Sequence, residues 1–219
     1  QSAVKAQTLS RNLDVVMFNE DVQLILIHTQ KEIEAHTRNG NILTAHTLLF
    51  YLRTFYKDTS RTDKYERWND KLEEVNLRIS LLRQYAPEYY HGLFTKRAML
   101  LGDDPPDAYN EQAGDNWIER IDGIEQNIVI RSLNIAISEH MSNVTWESLI
   151  KGGLESVKKL GEVPVISETF EKAGQEDKRE IWNKAVTDEL QGHASYLLHT
   201  PGKKVLTQTL SRLLEVNDH

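Results

Sequence analysis

The chain has 219 residues, of which 39% are hydrophobic and 27% charged, with a net charge of −7 and no cysteine. A chain of this length can bury enough apolar surface to fold as one or two small domains without disulfides. The lack of cysteine excludes disulfide scaffolds, zinc ribbons, iron–sulfur centres and thiol nucleophiles, because each of these requires a cysteine side chain.

Neither the first residue nor the hydropathy pattern identifies a compartment. The chain begins with Gln1, so we expect a processed product or a fragment of a longer polypeptide. No basic segment followed by an apolar core is present at this end, and no apolar run approaches the roughly 18 residues of a transmembrane helix. A soluble protein is therefore expected, either bacterial periplasmic or secreted, or cytoplasmic.

Apolar residues recur at intervals of three and four along almost the whole chain, the spacing of amphipathic helices. The sequence therefore predicts an all-α protein, a multi-helix bundle of about nine or ten helices in one or two subdomains. Capping and helix-breaking residues place the helices. The predicted ranges are 3–18, 20–39, 41–57, 62–85, 87–101, 115–141, 146–160, a short helix capped by Ser167, 176–199 and 202–215.

The second and third predicted helices form a hairpin. The second begins after Asn19 and ends at the Asn39-Gly40 pair, a typical helix C-terminus, so the turn before the third helix is very short. One stripe of the second helix is expected to face the core. It consists of Val22, Ile25, Leu26, Thr29 and Ile33.

The predicted helix over 62–85 has the clearest pattern, because its apolar residues alternate between spacings of three and four. These residues are Tyr65, Trp68, Leu72, Val75, Ile79 and Leu82. Such a seam packs against a neighbouring helix at a shallow angle. The neighbour could be a helix of the same chain or a second copy, so homo-oligomerisation through this seam is an alternative.

Turn-forming residues over 102–114 divide the chain near its midpoint. They predict an N-terminal helical subdomain over 1–101, an acidic turn region over 102–114 and a C-terminal helical subdomain over 115–219, with one continuous domain as the alternative. Residues 1–110 carry a net charge of −1 and residues 111–219 a net charge of −6. The helix after the turn region is rich in isoleucine. Its expected inward residues are Trp117, Ile121, Ile124, Ile128 and Ile135.

Histidine and carboxylate side chains repeat at four-residue spacing on the second helix. His28, Glu32 and His36 share one face, and His46 follows on the next helix. Imidazole and carboxylate groups can bind Zn, Mn or Fe, so these residues form a candidate metal site. The alternative is a polar helix face, because the apolar stripe turns His28 and Glu32 toward its flank.

Two further groups of polar residues could form a functional site or could have only a structural role. Asp103, Asp104 and Asp107 could bind a hard cation, although the two intervening prolines break the helix that would present them together. Asp188, Glu189, His193 and His199 could serve acid–base chemistry, or could form a polar face of the last long helix but one.

Aromatic residues with polar tips cluster around Pro87. They are Tyr85, Tyr89, Tyr90, His91 and Phe94. Such side chains suit a small-molecule pocket or a partner surface, and the alternative is a corner between helices in the core. A second aromatic and basic stretch lies over 50–71, where acidic residues interleave with the cations. Nucleic-acid binding is therefore not expected.

These patterns contain no convergent catalytic group, and we predict no catalytic residue. We expect a non-catalytic helical binding or interaction module, acting as a ligand-sensing or assembly domain of a larger protein. Its partner would be a protein or a small-molecule ligand, and the sequence requires no cofactor. The alternative is a metal-dependent enzyme that uses the histidine and carboxylate groups named above.

Overall fold

The computed structural model describes residues 2–10, 13–57, 59–110, 117–139, 144–163 and 165–218. All regular structure in these ranges is helical and none is strand, which confirms the predicted all-α multi-helix fold. The helices are α1 Ser2–Leu9, α2 Leu13–Phe18, α3 Glu20–Arg38, α4 Ile42–Tyr56, α5 Thr62–Tyr85, α6 Pro87–Leu101, α7 Trp117–Ile121, α8 Gln126–Glu139, α9 Trp146–Gly161, α10 Ile166–Thr169, α11 Glu176–Leu197 and α12 Gly202–Asp218. A short 3-10 helix, Glu171–Gly174, lies between α10 and α11.

The N-terminal helix predicted over 3–18 is divided into α1 and α2, so the prediction of one continuous helix is wrong. Ser10 lies between the two helices and is not helical. Serine competes with the backbone for hydrogen bonds and so weakens a helix interior.

The hairpin of α3 and α4 has the predicted caps. The side-chain oxygen of Asn19 accepts a hydrogen bond from the backbone N–H of Val22 at 3.1 Å. Gly40 has a φ of +70°, a conformation that glycine adopts without steric cost. The backbone N–H of Asn41 then donates to the carbonyl of His36 at 2.8 Å, so the chain reverses directly into α4.

The inward stripe of α3 is narrower than predicted. Leu26 and Ile33 are buried, whereas Ile25 is 49% exposed, so its predicted inward position is wrong. Successive residues of a helix point about 100° apart, and the core here follows Leu26 rather than its neighbour.

Helices α5 and α6 have the predicted bounds. Pro87 occupies the first position of α6, where its missing N–H costs no helical hydrogen bond. The ammonium of Lys96 on α6 donates to the backbone carbonyl of Asn39 at 3.1 Å. Residues 103–110 contain no helix, as the turn-forming residues predict, and residues 111–116 lie outside the described ranges.

The long isoleucine-rich helix predicted over 115–141 is wrong. It is interrupted between α7 and α8, where Gly123 has a φ of +71°, which is incompatible with a right-handed helix. The expected inward residues are also wrong, since Ile121, Ile124, Ile128 and Ile135 are 45–52% exposed. The buried isoleucine of α8 is Ile130, at 7% exposure, and the side chain of Trp117 lies outside the described set.

Thr145 caps α9 as predicted. Its hydroxyl accepts from the backbone N–H of Ser148 at 3.1 Å, and the Ser148 hydroxyl accepts from the backbone N–H of Thr145, a reciprocal arrangement that satisfies two N–H groups. Ser167 does not cap a helix as predicted, because α10 already begins at Ile166.

The chain divides into two compact units. The first comprises residues 1–83 and 87–114, and the second residues 84–86 and 115–219. The core of the first consists of Met17, Leu26, Ile33, Leu49, Leu52, Phe55, Tyr56, Trp68 and Leu72. The core of the second consists of Ile130, Ile150, Leu154, Val186, Val205, Leu206 and Leu213. None of the described helices is long and apolar enough to cross a bilayer.

Candidate functional site

The seam of α5 is used inside the first unit. Trp68 and Leu72 belong to its buried core, and Tyr65 and Val75 pack against that core. Arg53 of α4 strengthens the contact by donating to the Tyr65 hydroxyl at 2.9 Å and to the Asn69 side-chain oxygen at 3.0 Å. Little of the seam is therefore left for a second copy, and homo-oligomerisation through it stays a prediction.

The predicted metal residues on α3 flank one carboxylate. The Nε2 atoms of His28 and His36 lie 3.8 and 3.7 Å from the two oxygens of Glu32. The Nε2 of His46 instead hydrogen-bonds the side-chain oxygen of Asn76 at 2.9 Å. No group of three histidine, aspartate or glutamate side chains among the described residues is arranged to share a metal ion. The metal-dependent enzyme accordingly stays a prediction without a structural counterpart.

The acidic turn residues Asp103, Asp104 and Asp107 are all exposed and lie in the non-helical segment before residue 111. Carboxylates in open solvent are fully hydrated, and a hard cation gains from them only where several converge. This segment therefore does not form a prepared cation site in the described part of the chain.

The aromatic residues predicted as a binding cluster are found in three separate ring contacts. Tyr90 and Phe94 stack edge to face at 5.1 Å, His91 contacts Tyr109 at 5.6 Å, and Tyr85 contacts Phe170 at 5.8 Å. Tyr89 is 45% exposed and Phe94 37%. The ligand or partner surface formed by these residues stays a prediction.

The polar residues predicted near the C-terminus contain one buried carboxylate. Glu189 on α11 is 7% exposed. Its Oε2 accepts from the Thr209 hydroxyl at 2.9 Å and from the Arg212 Nη2 at 2.7 Å, and its Oε1 accepts from the Arg212 Nε at 2.5 Å. These hydrogen bonds raise the pKa of the Arg212 guanidinium above its ordinary value. Both carboxylate oxygens are thus engaged in joining α11 to α12.

The other members of that predicted group do not join it. The Nδ1 of His193, which is buried, hydrogen-bonds the carbonyl of Leu190 at 2.7 Å, and Asp188 and His199 are exposed. None of these three side chains hydrogen-bonds the Glu189 carboxylate among the described residues, so the predicted group is not one connected cluster.

The second unit contains a cavity of about 380 Å³ that no sequence pattern indicates. It lies where the last turn of α9, the segment from α10 through the 3-10 helix, the first turns of α11 and the end of α12 meet. Most of its lining is apolar. The lining residues are Val157, Leu160, Gly161, Ile166, Phe170, Lys172, Ala173, Asp177, Lys178, Arg179, Ile181, Trp182, Val216 and Asn217.

Contacts within the second unit hold the residues that line this cavity in place. Ile166 is buried, and its carbonyl accepts from the backbone N–H of Phe170 at 2.8 Å, so α10 closes a single helical turn that ends at Phe170. Trp182 packs against the core of the unit, which fixes one wall. Gly161 lies so close to α11 that an added Cβ would come within 2.7 Å of the Asn183 side-chain oxygen. Glycine there lets α9 approach α11.

The cavity lining has an apolar part and a charged part. Ile181 is 59% exposed, although it is a large apolar side chain, and it lies beside the half-buried Trp182 and Phe170. Apolar surface held open to solvent in a concave site favours a ligand that covers it. The charged part of the lining, called the rim below, is formed by three cations, Lys172, Lys178 and Arg179, and one carboxylate, Asp177.

The first unit contains another cavity of about 470 Å³, between α3, α4 and α5. Its lining is more strongly charged. The charged members are Glu34, Arg38, Lys71, Glu74 and Arg78. Opposite charges follow each other at three- and four-residue spacing on the same helix, the spacing at which side chains compensate each other. Most of these charges therefore have an opposite charge nearby on the same helix, although the Nε of Arg78 is buried without a hydrogen-bond partner among the described residues. The cavity of the second unit has the more apolar lining.

The chain matches no protein family, no curated protein and no solved structure with which it was compared. A function for this chain is therefore inferred from the two cavities and the side-chain contacts described above.

Proposed function

We propose that this chain is a non-catalytic helical binding module, and that its second unit binds a small organic molecule in the cavity between α9 and α11. The cavity, about 380 Å³ with a mainly apolar lining, supports this proposal. Small-molecule sites commonly occupy roughly 300–1,000 Å³ and are lined by apolar and aromatic side chains with a few polar groups.

Binding would be driven by the burial of apolar surface. Each Å² of apolar area removed from water contributes about 25 cal/mol, and Ile181, Trp182 and Phe170 supply such area on one side of the cavity. Trp182 is held by the core, so little side-chain freedom is lost when a ligand binds. A preformed wall of this kind raises affinity because it lowers the entropic cost of binding.

The test is a fluorescence titration with N-phenyl-1-naphthylamine, an uncharged apolar probe that emits strongly only out of water. We expect saturable binding of one probe per chain. Ala173 lines the cavity, and the variant Ala173→Phe places a phenyl ring in the space that the probe would occupy. Affinity should then fall about tenfold or more, a loss of about 1.4 kcal/mol.

The matched control is Ala108→Phe, which adds the same ring at an exposed position of the first unit. Its affinity for the probe should equal that of the unsubstituted chain. Circular dichroism of both variants checks that the helices are intact. Equal binding by Ala173→Phe and the unsubstituted chain, or no saturable binding at all, would contradict the proposal.

A further inference from the structure

We infer that the ligand of this cavity is an amphipathic anion, with an apolar body in the cavity and one carboxylate, sulfonate or phosphate group at its rim. The inference rests on the proposed function, because it requires the cavity to be a binding site. It adds the charge of the ligand and the side chains that recognise that charge.

The rim has the opposite charge to the sequence around it. Residues 111–219 contain 12 basic and 18 acidic side chains, yet the cavity is lined by three cations and one carboxylate. A cluster of one sign within a region of the other sign focuses the local field at that point. The charged groups of the lining thus carry a net charge of +2, which favours an anion there, although Glu176, 3.9 Å from the Arg179 guanidinium, offsets part of this charge.

Of the three cations at the rim, Lys178 has the fewest polar contacts with other described residues of the chain. Its side chain is half-buried, and it has no hydrogen-bond or ion-pair partner among the described residues. The positions three and four residues away in the chain are Gly174 and Gln175, which precede α11, and Ile181 and Trp182 on α11; none of these is acidic. A helix pair of the usual kind is therefore not available to it.

Helix stability does not explain this lysine either. Lys178 is the third residue of α11, and cations in the first turn of a helix are opposed by the partial positive charge of the free N–H groups. Glu176 and Asp177 in the same turn offset part of this repulsion, but neither is ion-paired with the ammonium among the described residues, and the lysine lies beside an apolar wall. An anion bound in the cavity would supply the missing partner.

The other two cations already have internal contacts, which position them at the rim. The ammonium of Lys172 donates to the backbone carbonyl of Asn217. The guanidinium of Arg179 lies 3.9 Å from an oxygen of Glu176, whose side chain is 82% exposed. An exposed pair at this distance contributes little stability, so Arg179 can contact a ligand without a large cost. Asp177 is the one group of the lining that opposes an anion.

The apolar lining indicates that a small inorganic anion would not fill this site. Inorganic phosphate or sulfate would leave Ile181 and Trp182 uncovered and would bind only through half-exposed cations, whose contacts are individually weak. The ligand must therefore combine both features. This requirement defines a class that includes fatty acids, aryl carboxylates and aryl sulfonates.

Two probes that differ by a single sulfonate group test the inference. The anion 1-anilinonaphthalene-8-sulfonate has the ring system of N-phenyl-1-naphthylamine with one added sulfonate. At low ionic strength we expect the unsubstituted chain to bind the anionic probe about three- to tenfold more tightly than the neutral one, the range of one or two partly screened charge contacts. The preference should decrease when salt is added.

Three single substitutions connect that preference to named residues. Lys178→Gln keeps a polar side chain but removes the charge, and should reduce the anion preference about threefold or more. Asp177→Asn should increase the preference. Lys184→Gln is the matched control, because Lys184 is exposed on the same helix and does not line the cavity, and it should leave the preference unchanged.

The outcomes separate this inference from the proposed function. If both probes bind equally and Ala173→Phe weakens both, the cavity is a binding site but the inference of an anion is wrong. If Lys184→Gln reduces the preference as much as Lys178→Gln does, the rim is not the source of the preference, and the inference again fails. If neither probe binds, the proposed function fails as well. Inorganic phosphate that displaced the anionic probe at equal concentration would also overturn the inference, because it would show that the apolar body is not needed.

Discussion

Glu189 is the residue whose contacts join two helices most directly. Both of its carboxylate oxygens accept hydrogen bonds from Arg212, Thr209 or both, and the guanidinium of Arg212 also lies 5.3 Å from the centre of the Tyr196 ring. Charge-assisted and bidentate hydrogen bonds of this type are the strong ones in proteins. We therefore expect Glu189 to contribute to the stability of the second unit.

The variant Glu189→Gln tests this expectation. The amide loses the charge, and its NH2 group faces the donors of Arg212 or Thr209, so one buried hydrogen bond is lost. We expect the free energy of unfolding to fall by about 1–3 kcal/mol, the usual cost of losing a hydrogen bond to a charged group. The measurement is the urea midpoint, followed by circular dichroism.

Glu155 provides a matched control on α9. Its carboxylate lies 3.9 Å from the ammonium of Lys151, and both side chains are more than half exposed. Exposed pairs contribute little, so Glu155→Gln should leave the urea midpoint unchanged. A similar shift in both variants would mean that the contacts of Glu189 contribute no more than a surface pair.

Tyr56 makes the stability of the first unit sensitive to alkaline pH. Its side chain is 7% exposed, and burial raises the pKa of its hydroxyl above the ordinary value near 10.0, an effect that Arg61 partly offsets and Asp63 reinforces. The folded chain then binds this proton more tightly than the unfolded chain does. Its contribution to stability is present below the ordinary pKa and is lost as pH rises through the folded-state pKa.

The variant Tyr56→Phe isolates that contribution, because phenylalanine has no proton to lose. Between about pH 9 and pH 11, the unsubstituted chain should lose more unfolding free energy than the variant does. Urea unfolding at several pH values measures both losses. Parallel curves for the two proteins would show that the Tyr56 hydroxyl has the same pKa in the folded and unfolded chain.

At the scale of single elements, the sequence predicts helices best where caps and apolar periodicity agree. Pro87 starts α6, Thr145 caps α9, and the regular spacing over α5 places its core-facing side. Prediction fails at Gly123, because a glycine inside an apolar pattern is compatible with either a helix or a left-handed turn. Periodicity alone does not decide between these alternatives.

The inward side of α8 was also mispredicted, for a related reason. Several stripes of an isoleucine-rich helix are apolar, so the pattern does not show which stripe the neighbouring helices cover. Packing against α12 covers Ile130 and leaves Ile128 and Ile135 about half exposed. The choice depends on tertiary contacts that no local pattern contains.

Two neighbouring isoleucines of α8 test this orientation. Ile130→Ala should destabilise the chain by about 2–5 kcal/mol, because it leaves a cavity in the core. Ile128→Ala, two residues earlier at a 47% exposed position, should cost less than about 1 kcal/mol. Urea unfolding measures both. A larger loss for Ile128→Ala would restore the sequence-based orientation of the helix.

At the scale of the whole molecule, the sequence pattern does not predict the cavity of the second unit. The lining of the cavity comes from positions 157 to 217, on four helices and a 3-10 turn, and their convergence depends on how α9, α11 and α12 pack. The sequence did hold one signal, the lack of an acidic residue three or four positions from Lys178, the spacing of a helix ion pair. That signal has meaning only once an apolar wall is known to lie beside it.

The residues that the sequence singled out have mostly structural contacts instead. The α5 seam packs into the first core, Glu189 joins α11 to α12, and His46 hydrogen-bonds Asn76. Sequence spacing identifies polar groups that share a helix face, but it does not show which partners those groups find on other helices. A binding site is therefore recognised here by the space between helices rather than by a motif.

Binding in the second unit is tested most directly by nuclear magnetic resonance of the isotope-labelled chain, titrated with N-phenyl-1-naphthylamine. The amide signals that shift should belong to residues around the cavity, including Ile166, Phe170 and Trp182, and they should saturate together at one probe per chain. Signals of the first unit, including those around its own cavity near Lys71 and Arg78, should stay in place. Shifts centred on the first unit, or spread evenly over exposed apolar residues of both units, would contradict a ligand site between α9 and α11.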